Sequence, residues 1–247
     1  MKKIAIFVEG ETESDFIKRL LVEIIGEHNI TITTNKMVGG NNKSGIPRTI
    51  NLRFQSEINQ ADFQAIIYIS GHHENVDSDI REQRNVLIQQ GFSKIIGLKD
   101  LRREQEGRKF TLADLPKVEL GSRITERISR PIPTKIITAV MEIETWFLAE
   151  INHYVCVDDR LTEEFITSKT DELGFNPYFD DLMLRLEAKE DLNNLYGLVK
   201  KVYSKKETVR IKTINCLDID YLKNTVGQKI SQIKDLFDNI EEFVSEV

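Results

Sequence analysis

The chain has 247 residues, enough for one α/β core with a smaller appended unit. Its 34 basic and 40 acidic side chains leave a net charge of −6, which excludes a broadly basic protein that coats nucleic acid through its overall field. The first 150 residues hold 21 of each sign, so the whole excess falls in residues 151–247, and any nucleic acid must be gripped by local patches.

The apolar start MKKIAIFV runs directly into Glu9 and Gly10, too short for a signal segment, and no later run is long enough to span a bilayer. Cys156 and Cys216 are 60 residues apart and form neither a CxxC nor a Cys/His zinc pattern. These features predict a soluble cytoplasmic protein without a disulfide framework.

Strands are predicted at 3–8, 29–36, 64–70, 93–98 and 134–140. All but the second are almost continuously apolar, as befits parallel strands covered by helices on both faces. A helix follows Gly10, with Thr12 and Asp15 in capping-box spacing and Phe16, Ile17, Leu20, Leu21, Ile24 and Ile25 on one stripe. Residues 39–46 (GGNNKSGI) have loop composition, a helix is expected at 77–90 up to Gly91, and another at 116–130 before Pro131. Beyond residue 150 the strand signal fades, and helices are expected at about 161–172, 180–203 and 221–246. The expected fold is α/β: a mostly parallel, Rossmann-like sheet flanked by helices over 1–150, with a helical subdomain over 151–247.

Ligands of open α/β sheets bind beyond the carboxyl ends of the strands. Glu9 follows the first strand, Asp100 follows SKIIGLK, and Glu142 and Glu144 follow TKIITAVM. Carboxylates meeting there are hard oxygen ligands suited to Mg2+ or Mn2+. Gly10 suits a strand-to-helix turn beside an acid, either through positive φ or through close approach of a substrate. Glu13 is either a helix-start acid or an additional ligand. His72 and His73, after QAIIYIS, are strand-end candidates for ligation or proton transfer. Lys43, in a glycine-rich loop that does not match the phosphate-loop pattern, is a candidate phosphate contact.

Lys99, Arg102, Arg103, Arg108 and Lys109 flank Asp100 and are suited to stabilising phosphoryl charge. A second basic patch runs from Lys200 to Lys212, with Tyr196 and Tyr203 as candidate base-stacking partners and a plain solvated face as the alternative.

The segment IAIFVEGETESDFIKRLL resembles the opening strand, Glu-Gly turn and helix of the Toprim superfamily, which includes topoisomerases, bacterial primases and the overcoming-lysogenization-defect nucleases. The resemblance covers residues 1 to about 150 and is closest to small stand-alone bacterial Toprim-like proteins. It implies a metal-dependent phosphoryl-transfer protein, a DNA or RNA nuclease in bacterial defence or in a toxin-like role, with room for a partner protein such as an ATPase. Under it Glu9 and Asp100 are the catalytic and metal-binding acids, joined by Glu142 and Glu144; Gly10, Lys43, His72, Arg102 and Arg103 are, from their own positions, the residues expected against substrate. Residues 100–102 read Asp-Leu-Arg, so Arg102 stands where the family motif D-x-D has its second acid. A guanidinium there weakens a cation site unless Glu142 or Glu144 supplies the missing ligand. The alternative is a catalytically silent module that binds a partner protein or a nucleotide.

Overall fold

The computed structural model describes residues 1–40, 46–58, 60–101 and 131–245. The expected helix at 116–130 and the residues Lys43, Arg102, Arg103, Arg108 and Lys109 lie outside the described residues. The fold is α/β. Strands β1 (Lys2–Val8), β2 (Ile30–Val38), β3 (Thr49–Gln55), β4 (Phe63–Ile69), β5 (Lys94–Leu101) and β6 (Thr134–Val140) form one sheet in the order β3-β2-β4-β1-β5-β6. The pairs β1/β4, β1/β5 and β2/β4 are parallel, and β2/β3 is antiparallel.

The apolar runs become central strands because both faces are covered. Ile4, Ala5, Ile6, Phe7 and Val8 are all fully buried. On one face Ala5, Phe7 and Tyr68 pack with Val76, Ile80 and Leu87 of α2 (His73–Gln89), and the Phe7 and Tyr68 rings stack at 4.6 Å. The connection through α1 (Glu11–Ile25) runs from β1 over β4 to β2, whereas that through α2 runs from β4 over β1 to β5. Right-handed crossovers in opposite directions place α1 and α2 on opposite faces. The carboxyl ends of β1 and β4 therefore form a topological switch point, where a crevice opens between the two departing loops.

Strand β3 is an addition to the predicted set. In its pairing with β2 the register passes from Thr34↔Phe54 to Asn35↔Leu52, leaving Arg53 as a bulge. The bulge turns Phe54 toward α1, where Lys18 Nζ lies 5.3 Å from its ring centroid.

The chain divides into two compact units. Among the described residues, unit 1 holds 1–99, 131–138 and 236–245, and unit 2 holds 100–101 and 139–235. In unit 1 the end of the C-terminal helix is fastened by Lys2 Nζ, which donates to the carbonyls of Phe243 and Val244 at 3.3 Å, and by a Lys94–Glu242 ion pair.

Unit 2 contains α3 (Glu144–Ala149), α4 (His153–Val157), α5 (Glu163–Ser168), α6 (Thr170–Leu173), α7 (Ala188–Gly197), α8 (Glu207–Cys216), α9 (Ile219–Tyr221), α10 (Gly227–Lys229) and the start of α11 (Ser231–Ser245). The helix expected at 180–203 is shorter, because Arg185 and Glu187 leave helical backbone before α7 begins. The one expected at 221–246 is interrupted at Ile230, whose extended backbone separates α10 from α11.

The absence of a disulfide was expected from the spacing, and the structure corrects it. Cys156 of α4 and Cys216 of α8 are bonded, with Cα atoms 5.6 Å apart. Helix packing within unit 2 brings together two cysteines whose separation in sequence gives no hint of pairing. None of the described helices is long and apolar enough to cross a membrane.

Candidate functional site at the carboxyl ends of β1 and β4

The β1/β4 ladder continues past both strand ends. Ser70 N donates to Val8 O at 2.8 Å and Gly71 N to Glu9 O at 2.7 Å. Glu9 is thereby fixed at the mouth of the switch-point crevice by its own backbone, with its side chain half-buried.

Gly10 follows with φ −139, ordinary extended backbone, so the expected need for positive φ is not met. The close neighbour is the Glu13 side chain, not a substrate. Gly10 N donates to Glu13 Oε2 at 2.9 Å, and a Cβ on residue 10 would sit 3.0 Å from that oxygen. The helix start is built on Gly10 and Glu13 rather than on Thr12 and Asp15. Buried Glu13 closes the first turn from the N3 position, the structural one of its two roles.

Across the crevice, Gly71 has φ +80, and here the left-handed conformation does require glycine. His72 caps α2, its Nδ1 accepting from Glu74 N at 3.4 Å, and its side chain is exposed. His73 opens the helix half-buried, with its ring centroid 4.2 Å from that of His72. Burial is the main cause that lowers the His73 pKa. The His72 ring and Lys99 push the same way, while Glu9 and Glu74 oppose them. Glu9 and His73 are thus electrostatic neighbours.

At the end of β5, Lys99 Nζ bonds both oxygens of Asp77 on α2 at 3.1 Å. Lys99 was expected among the phosphate-facing basic residues, and part of its charge is balanced by this pair.

Arg48 joins the ends of β2 and β4 to α2. Its Nη1 donates to Ser70 O at 2.9 Å and to Asp79 Oδ2 at 2.6 Å, and its Nη2 donates to Met37 O at 2.6 Å. Asp79 is fully buried, and burial raises its pKa, with Arg48 opposing the rise. A lone arginine beside a loop carries no motif by which sequence could have revealed this role.

The other expected acids belong to unit 2. Asp100 is buried and its Oδ1 accepts from Ile143 N at 3.1 Å. Glu142 is 8% exposed, on the turn after Met141, whose φ is +69. Glu144 is fully buried. Its Oε1 accepts from the Tyr203 hydroxyl at 3.1 Å and lies 3.5 Å from Lys205 Nζ, whereas Oε2 has no hydrogen-bond partner. Tyr196 and Tyr203 are 1% and 2% exposed, which removes them as base-stacking platforms. Both lie under the basic segment rather than on it.

Sequence reasoning also passed over Glu150 and His153, both fully buried. Glu150 accepts from the amides of Asn152, His153 and Asp218, and His153 Nε2 bonds the Tyr196 hydroxyl at 2.8 Å.

Among the described residues no group of three or more His, Cys, Asp or Glu side chains is placed to hold a metal ion. With Asp100 and Glu144 bonded within unit 2, the described acids do not make a preformed Mg2+ or Mn2+ cage. No family model, curated protein or solved structure matches the chain.

Proposed function

We propose that the chain is a phosphoryl-transfer protein acting on DNA or RNA, with its site at the carboxyl ends of β1 and β4. The observation that carries this reading is the placement of Glu9, held by the Gly71 amide at the switch point where α/β sheets bind their ligands, with its charge acting on His73. The VEGETE segment that supports the Toprim resemblance is the same turn.

In this reading the Glu9 carboxylate takes the proton of a water molecule as its oxygen bonds to phosphorus. The bond to the leaving sugar oxygen breaks, and that oxygen takes a proton from solvent. The depressed pKa of His73 keeps its ring neutral near pH 7, so an N–H can donate to a phosphoryl oxygen without the imidazolium ion-pairing permanently with Glu9. A divalent ion, if bound, would add charge stabilisation, with Glu9 the described carboxylate best placed to meet it.

The test is incubation of the purified chain with labelled single- and double-stranded DNA and RNA in Mg2+ or Mn2+. Strand cleavage is expected, and Glu9→Gln should slow it by roughly 100-fold or more. Intact substrate under every condition contradicts the proposal.

The bonding of Asp100 to Ile143 and of Glu144 to Tyr203 favours a second reading, a module that binds a nucleotide or partner protein without cleaving anything. It predicts retention of ligand with no product.

A further inference from the structure

Unit 2 has a cavity of about 300 Å3 near α4, α7 and α8, separate from the residues discussed above for catalysis. Its aliphatic wall is Val157, Val202 and Val209, and Lys200, Lys201 and Lys212 bring three positive charges to it. Tyr196 borders the cavity but is 1% exposed, with its hydroxyl committed inward to His153. Thr208, which is exposed, adds a hydroxyl group.

The charge is only partly balanced locally. Among the described residues Lys212 Nζ bonds only a backbone carbonyl, that of Val157, at 3.3 Å. Lys201 Nζ is 3.7 Å from Asp158, but Asp158 is already engaged by Arg160 through two bonds of 2.7 and 2.9 Å. Lys200 has no acidic partner among the described residues.

Lys200 also holds φ +61, the left-handed position after a helix that glycine normally fills. Its carbonyl-side neighbour closes the motif, Lys201 N donating to Tyr196 O at 3.1 Å. A side chain at this position strains the backbone, and here it also adds positive charge to the cavity.

We propose that this cavity binds a phosphomonoester with an apolar or aromatic body, of about mononucleotide size. Lysines are compact point charges suited to a phosphate dianion, whereas a planar carboxylate favours the arginine fork. The volume lies at the lower end of small-molecule sites, and Val157, Val202 and Val209 provide the apolar surface such sites use for the body of the ligand. The proposal is independent of phosphoryl transfer at Glu9.

Isothermal titration of the full chain with adenosine 5′-monophosphate, adenosine and inorganic phosphate tests it. The monophosphate should bind, with adenosine and phosphate each weaker by about tenfold or more. Lys200→Gly should melt no lower than the parent, since it relieves the left-handed strain, yet bind about tenfold more weakly, as should Lys212→Gln. Glu9→Gln should bind normally. Absence of binding at millimolar monophosphate overturns the proposal. So does equal affinity for phosphate alone, which would leave the apolar wall unused, or loss of binding in Glu9→Gln but not in Lys200→Gly, which would place the phosphate in unit 1.

Discussion

The Gly71 amide donates to the Glu9 carbonyl at 2.7 Å, so the loops that leave β1 and β4 on opposite faces are tied together within two residues of the strand ends. This bond holds the Glu9 backbone at the mouth of the switch-point crevice. The chain then turns toward α2 through Gly71 at φ +80.

Gly71→Ala should therefore destabilise the fold by about 1–2 kcal/mol through backbone strain alone, since no atom lies within 4 Å of a Cβ placed there. Gly10→Ala is free of that strain at φ −139 and should act only by displacing the Glu13 carboxylate. Urea denaturation of the two variants checks the contrast. A larger loss for Gly10→Ala would show that the helix cap outweighs the Gly71 turn.

Arg48 and Asp79 have 10% and 1% of their side chains exposed, and Arg48→Met leaves a buried carboxylate without its cation. The expected loss at neutral pH is about 3–5 kcal/mol. Burial already raises the Asp79 pKa, so the folded state holds its proton more tightly than the unfolded chain does. The ionised group therefore costs stability as pH rises through the range above its ordinary 3.8, and the variant, without the opposing arginine, should regain part of its stability as pH falls. Denaturation midpoints measured from pH 7 downward check the sign. A variant that weakens steadily on acidification, relative to the parent, contradicts it.

The Cys156–Cys216 bond closes a loop of 60 residues, for which the chain-entropy estimate is about 4 kcal/mol. Reduction should lower the stability of unit 2 by about that amount, read as a shift of the denaturation curve between reducing and oxidising buffer. Coincident curves would show that the bond does not form in solution or restrains nothing.

What could be read from the sequence follows burial. Strands β1, β4, β5 and β6 are continuous apolar runs because helices or neighbouring strands cover them, and Glu9 was found because it ends the clearest of these runs. Strand β3 is exposed at every residue, so TINLRFQ carries no such signal. Helix α8 was missed because its buried positions, Arg210, Thr213 and Ile214, include only one apolar side chain and draw no stripe. The roles of Asp100, Glu144 and Arg48 depend on partners 43, 59 and 31 residues away, and local pattern carries no information on contacts of that kind.

Proton NMR titration of His73, in the parent and in Glu9→Gln, tests most directly whether these two residues share the crevice. Burial should hold the His73 midpoint below its ordinary 6.5 in the parent, so its neutral form is favoured on folding and its contribution to stability is lost as pH falls below that value. Glu9 favours the imidazolium, so Glu9→Gln should move the midpoint lower still. A midpoint that stays put, or rises, would show that the Glu9 carboxylate does not face His73, and the proposed catalytic pairing at the β1/β4 switch point would fall with it.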